Sequence, residues 1–247
     1  MKLPEVYVCD SEKDMADCLI KKWKRISKEA IEEKGFFTVA LSGGKTPIPF
    51  YRTLAGLRNS LPWRETHIFL VDERFVPFSH PDSNYRMLRE ILINEVPIPE
   101  YNVHPISAEE ENAEAAARKY EEELKTFFHI TGDELPRFDL ILLGLGEDGH
   151  TASLFPGNGV LTETRLLAAG VKQNKMWRDR ITLTLPVINQ GRNVFFLVSG
   201  ENKAGVLAQV IHKKDGTLPA ARIAPKSGNL VFLLDLEASL QLGLTRP

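Results

Sequence analysis

Short apolar runs recur along the whole chain, and several are apolar on both faces instead of alternating with polar residues. EVYV (5–8), FFTVAL (36–41), HIFLV (67–71), NVHPI (102–106), FDLILL (138–143), RITLTL (180–185), NVFFLV (193–198) and LVFLLD (230–235) read as strands. A strand with no polar face must be covered on both sides, which is the situation of parallel strands between layers of helix. Helical patterns fill the gaps between the runs. Ser11 with Asp14 resembles a capping box, and Met15, Cys18, Leu19, Trp23, Ile26 and Ala30 then form one stripe before Gly35. Ser107 with Glu110 reads as the same device ahead of a second long helix ending near Phe128. In GGKTPIPFYRTLAG, Thr46 can cap, Pro47 fits a first turn, and Gly56 can close the helix. This alternation predicts an α/β fold, an open and mostly parallel sheet with helices on both faces in a Rossmann-like three-layer αβα arrangement. With 247 residues, 43% of them hydrophobic, the chain can bury such a core, and residues 1–247 read as a single domain.

Charge and cysteine content narrow the partners. The formal net charge is −2 and the basic residues are scattered, which gives no footprint for nucleic acid. The acidic stretch EEENAEAAARKYEEELK reads as a solvated helix face. Two cysteines, Cys9 and Cys18, make neither a disulfide framework nor a four-ligand metal site, so a reducing cytoplasm is expected. The N-terminus lacks the apolar segment of a secretory signal, and no stretch approaches the roughly 18 apolar residues of a membrane span. No heptad or isolated apolar face stands out, and a monomer is the expectation.

In open α/β sheets ligands bind beyond the carboxyl ends of the strands, so the residues following each run carry the functional signal. After FFTVAL comes Ser42-Gly43-Gly44-Lys45-Thr46, and after HIFLV comes Asp72-Glu73-Arg74. FDLILL leads into a glycine-rich loop, and NVFFLV into Ser199-Gly200-Glu201-Asn202-Lys203. The Ser42-Gly43-Gly44 turn before a helix favours an anion through its backbone N–H groups, although an ordinary strand-to-helix turn uses the same residues. Lys203 lies in the first turn of ENKAGVLAQVIH, where a cation opposes the helix dipole unless it meets a bound anion. Two anion-seeking features at neighbouring strand ends point to a phosphate-bearing ligand.

The loop in DLILLGLGEDGHTASLFPG places Gly144, Gly146 and Gly149 in the dinucleotide spacing G-x-G-x-x-G. That reading fails its context. Pro156 and Gly157 interrupt any following helix, no acid stands about 20 residues on to hold a ribose, and Asp148 would repel a pyrophosphate. What the loop does carry is His150 two residues after Asp148. An imidazole takes a proton near neutral pH, and a carboxylate beside it fixes the tautomer and supports the imidazolium. The remaining histidines (His67, His80, His104, His129 and His212) have no such company in the sequence. Asp72, Glu73, Asp148 and His150 lack compact metal-ligand spacing, and there is no G-x-S-x-G elbow: Ser42 precedes its glycines and Ser153 sits among apolar neighbours. A histidine that activates water beside a phosphate-binding edge implies hydrolysis or proton transfer on a sugar phosphate.

LSGGKTP, VDERFVP followed by SNYRMLRE, LGLGEDGHTASLFPG, RITLTLPVIN and SGENKA, taken in order, resemble the 6-phosphogluconolactonase family across residues 36–235. The same superfamily contains glucosamine-6-phosphate isomerase/deaminases. Those typically carry Tyr where this chain has Arg74, and a ring-opening Glu near the place where it has Ala152-Ser153-Leu154-Phe155-Pro156. The resemblance implies opening of 6-phosphoglucono-δ-lactone by a water that His150 deprotonates, with Asp148 in support. It implies that Ser42, Gly43, Gly44, Thr46, Arg180 and Lys203 hold the 6-phosphate, with Lys45 a further contact, and that Asp72 receives sugar hydroxyls. Arg74 is left between the developing oxyanion and the phosphate. No metal or organic cofactor is called for. Two other readings stand beside it: an isomerase/deaminase that uses Asp72 as base, and a sugar-phosphate sensor without catalysis.

Overall fold

The structure, a computed structural model, describes residues 3–173, 178–213 and 216–243. Its strands are β1 (Glu5–Cys9), β2 (Phe37–Leu41), β3 (Thr66–Leu70), β4 (Asp72–Arg74), β5 (Val103–His104), β6 (Leu140–Gly144), β7 (Ala168–Val171), β8 (Arg180–Leu183), β9 (Asn193–Val198) and β10 (Asn229–Asp235). Seven of them form one sheet in the order β1-β10-β9-β6-β2-β3-β5, with every neighbouring pair parallel. The other three, in the order β4-β8-β7, form a small antiparallel sheet.

The helices are α1 (Glu12–Lys34), α2 (Ile48–Gly56), α3 (Asn84–Ile91), α4 (Ala113–Phe128), α5 (Leu185–Ile188) and α6 (Ala204–Ala208). They cover both faces of the large sheet, as the apolar runs require. Phe37 of β2 meets Trp23 of α1 edge-on with ring centroids 5.0 Å apart, and Trp23 also meets Phe50 of α2 at 5.9 Å. Phe69 of β3 meets Phe127 and Phe128 of α4 at 5.1 and 5.8 Å. The register pairs Phe37 with Thr66 and Ala40 with Phe69, and side chains alternate along a strand, so Phe37 and Phe69 point to opposite faces. Trp23, Phe37 and Phe69 are fully buried, and each such side chain contributes about 1.5–3 kcal/mol.

Several local expectations need correction. RITLTL yields only Arg180–Leu183, and that strand lies antiparallel in the small sheet. Its alternation of Arg180 and Thr182 with Ile181 and Leu183 is the period-two pattern of an antiparallel pair, not a continuous apolar run. NVHPI contributes only the Val103–His104 ladder, since Pro105 has no N–H to extend it. Asp72-Glu73-Arg74, read only as the residues that follow a strand, forms the short strand β4.

Helix starts differ too. The cap of α4 is Asn112, whose side chain accepts the Ala115 N–H at 2.8 Å, and Glu110 instead pairs with Lys119. Ser107 lies too far upstream and accepts only the Glu109 N–H, at 3.3 Å. Helix α2 begins after Pro47 without a side-chain cap, and the Thr46 hydroxyl lies 3.2 Å from that of Ser199 beyond β9. The expected ends of α1 hold: Ser11 accepts the Asp14 N–H at 3.1 Å, and Gly35, at φ 85°, donates its N–H to the Ile31 carbonyl.

Chain order reverses in the middle of the large sheet. From β2 the connections run outward through β3 to β5, and from β6 they run outward the other way through β9 to β10. The carboxyl ends of β2 and β6 therefore flank a switch point, where helices diverge and leave a crevice. No helix among the described residues is long and apolar enough to cross a membrane.

Candidate active site

The crevice is a cavity of 350 Å³ at the carboxyl ends of the central strands. Ser42, Gly43, Gly44, Thr46, Asp72, Arg74, His150, Arg180 and Lys203 all line it, with Lys45 and Asn84. Asp148 stands behind His150.

The glycine spacing of 144–149 has a structural explanation of its own. The Gly146 N–H donates to the His150 carbonyl at 2.8 Å, the Gly149 N–H returns to the Gly146 carbonyl at 3.1 Å, and Gly149 adopts φ 81°. A Cβ on Gly146 would lie 2.1 Å from His150 Nδ1 and 2.7 Å from Asp148 Oδ1. The bare backbone is what lets this pair fold onto the loop. His150 Nδ1 lies 2.5 Å from Asp148 Oδ1, which also accepts the His150 N–H at 3.1 Å. Partial burial pushes the Asp148 carboxyl up, but hydrogen bonds from the His150 N–H and ring, with the charge of the imidazole, outweigh it and hold the group below its ordinary range. The ring of Phe155 packs beside His150 at 4.7 Å.

Across the cavity, Arg74 and Arg180 are directly opposite each other in the β4–β8 ladder. Like charges so placed repel. Both Nε atoms are buried without a hydrogen-bond partner, and Arg74 Nη1 donates to the Asp82 carbonyl at 2.6 Å. Burial first, and then the charge of Arg74, lower the pKa of Arg180, while Asp72 opposes them. Lys203 is mostly buried, with its nearest carboxylate oxygen, on Glu147, 3.9 Å away. Four cationic side chains, Lys45, Arg74, Arg180 and Lys203, line one cavity, an arrangement that fits a multiply charged anion. Ser42 turns its hydroxyl away to the Leu142 carbonyl at 2.6 Å, and its own carbonyl accepts the Tyr51 hydroxyl at 2.7 Å.

Asp72 is buried, and its Oδ2 accepts the Ser153 hydroxyl at 2.7 Å. Ser153 thus has a polar partner that its apolar neighbours in sequence hid. Glu73 is an anchor: its carboxylate accepts the N–H groups of Arg74, Asn84 and Tyr85 and the hydroxyl of Ser83, fixing the start of α3 to β4. Burial pushes its carboxyl up, and the hydrogen bonds only partly offset this. Asn84 went unremarked in sequence because its signal, the first residue of a helix set against the Ser42-Gly43-Gly44 turn, exists only in three dimensions.

The expectation that His150 alone has a carboxylate companion does not hold. His104 Nδ1 lies 2.7 Å from Glu123 Oε1, and His104 Nε2 lies 3.2 Å from His67 Nδ1, well away from the cavity. No group of three His, Cys, Asp or Glu side chains among the described residues could hold a metal ion.

The switch point of the large sheet thus carries a cationic crevice beside an acid–histidine pair. The family model described as glucosamine-6-phosphate isomerases/6-phosphogluconolactonase matches residues 10–232, and the chain belongs to that family. A 6-phosphogluconolactonase of Synechocystis sp. is 47% identical over 88% of this chain and 89% of its own. A chloroplastic 6-phosphogluconolactonase of Arabidopsis thaliana is 38% identical over 98% of this chain and 75% of its own. The solved 6-phosphogluconolactonase from Trypanosoma cruzi superposes with a TM-score of 0.86 at 30% identity, covering 98% of this chain and 97% of that one. A monomeric glucosamine-6-phosphate deaminase, at 19% identity and TM-score 0.77, shares the fold.

Proposed function

We propose that the protein hydrolyses 6-phospho-D-glucono-1,5-lactone to 6-phospho-D-gluconate, a step of the oxidative pentose phosphate pathway. The observation that carries this reading is the Asp148–His150 pair opening on the same cavity as Arg74, Arg180 and Lys203. An ionised carboxylate only accepts hydrogen bonds, so the proton of the neutral imidazole sits on Nδ1 and Nε2 keeps its lone pair. Nε2 takes a proton from water as the water oxygen bonds to the lactone carbonyl carbon. The ring C–O bond then breaks, and the imidazolium returns its proton to the departing ring oxygen. The new carboxylic acid ionises, so each turnover releases one proton to solvent.

Arg74 stabilises charge on the carbonyl oxygen or joins the phosphate contacts. The Ser42-Gly43-Gly44 backbone, Thr46, Arg180 and Lys203 hold the 6-phosphate, and Asp72 accepts sugar hydroxyls. An activated ester needs only a base and oxyanion support, which calls for no metal or organic cofactor. The scattered charges and net charge of −2 fit a single-domain cytoplasmic monomer acting on a small molecule, with neither nucleic acid nor membrane as partner.

The test is proton release from freshly made lactone, corrected for spontaneous hydrolysis, with wild type against His150→Ala. Turnover is expected to fall by about 10²–10⁴-fold while inorganic phosphate still binds. Near-normal turnover of the variant would remove His150 as the base. No wild-type release above background would reject the lactonase reading.

A further inference from the structure

We infer that Asn84 is a specificity-determining residue whose amide oxygen accepts a hydrogen bond from a ring hydroxyl of the substrate. The inference rests on the lactonase reading above. Asn84 opens α3, is 3% exposed and lines the cavity. Its amide orientation follows from its partners. One end lies 2.9 Å from the Asp72 carbonyl oxygen and 3.5 Å from Asp72 Oδ1, both acceptors, so that end is the NH₂ group. The other end is therefore the oxygen.

That oxygen lies over Gly43. A Cβ on Gly43 would sit 1.8 Å from Asn84 Oδ1 and 2.3 Å from Cγ. Gly43 is not among the glycines of positive φ, so its need to be glycine comes from the amide occupying the space of a side chain. The hydrogen bonds of this side chain run from its NH₂ end, and no donor among the described residues reaches Asn84 Oδ1. Asn84 Oδ1 is not among the buried atoms left without a partner, so it opens on the cavity, where a ligand hydroxyl can take the place of water as its donor.

The rest of the cavity supplies donors and positive charge from Arg74, Arg180 and Lys203. Asn84 Oδ1 and the Asp72 carboxylate are side-chain acceptors within it. A phosphate dianion has no proton to offer them, whereas a sugar hydroxyl has. The amide thus distinguishes a hydroxylated ring from one lacking that hydroxyl, while the cations recognise the phosphate.

The experiment compares kcat/KM by proton release for the parent lactone and for three 6-phospho lactones lacking the hydroxyl at C2, C3 or C4, in wild type and Asn84→Ala. In wild type one deoxy lactone should fall by about tenfold, the weight of one neutral hydrogen bond. In Asn84→Ala the parent should fall to match that deoxy lactone, whose own rate stays put, and the other two should keep their wild-type penalties. A uniform fall of all four substrates in Asn84→Ala would overturn the inference and leave Asn84 a support for Asp72. Equal kcat/KM for all four lactones in wild type would also overturn it, and needs no variant to fold. Without wild-type turnover of the parent, the lactonase reading fails and the inference with it.

Discussion

Asp148 is half exposed, yet its carboxyl is held below the ordinary range by the two contacts from His150 after partial burial has pushed it the other way. The pair therefore keeps its negative member ionised as pH falls, and the imidazole proton stays on the Asp148 side. In Asp148→Asn the side-chain NH₂ can donate to Nδ1, which favours the tautomer protonated at Nε2 and removes the base. A fall in kcat on the order of 10²-fold is expected, with KM for the lactone little changed, because Asp148 stands outside the cavity wall. Steady-state proton release would show it, and an unchanged kcat would mean that Asp148 has no part in the chemistry. Residue chemistry of this kind was legible in the sequence, since Asp148 and His150 are two positions apart. The pairing of Arg74 with Arg180 was not, because 106 positions separate them and only the β4–β8 register sets them opposite.

Elements carry the next layer of information. The loop after β6 holds its acid–histidine pair because Gly146 has no side chain. Gly146→Ala should cost at least about 10²-fold in turnover, the typical worth of a positioned general base, with the melting temperature little altered. Turnover close to wild type would mean that the loop shifts without consequence for His150. The elements that sequence misread share a cause. Ser107 and Asn112 can both cap, and only the point where α4 meets the small sheet selects Asn112: a Cβ on Gly170 of β7 would come within 2.7 Å of the Glu114 N, so the start of α4 is packed tightly there. Arg180–Leu183 has strand chemistry, but its partners β4 and β7 contribute only three and four residues, too short to announce a second sheet.

At the scale of the whole molecule, the histidines away from the cavity bear on stability. Burial, then the neighbouring His104, then Lys34 bring the pKa of His67 down from 6.5 to about 4. Between those values the unfolded chain binds more protons at this position than the folded one. Stability should therefore rise with pH across that window and be lost as pH falls from about 6.5 toward 4. Urea unfolding at a series of pH values should give a shallower pH dependence for His67→Gln than for wild type. An equal slope in the two proteins would show that His67 does not titrate this way.

The sequence by itself determined that this chain forms a parallel α/β sheet covered on both faces, because runs apolar on both sides admit no other burial. It also determined which strand ends hold polar chemistry, because ligand-facing residues follow directly on buried runs. Only the tertiary structure decided which of those residues meet. It set Arg180 against Arg74, turned the Ser42 hydroxyl away from the cavity, joined Ser153 to Asp72, and laid Asn84 over Gly43. Each of these is a contact between segments distant in the chain, fixed by strand register and side-chain packing, and neither quantity is written in local sequence order.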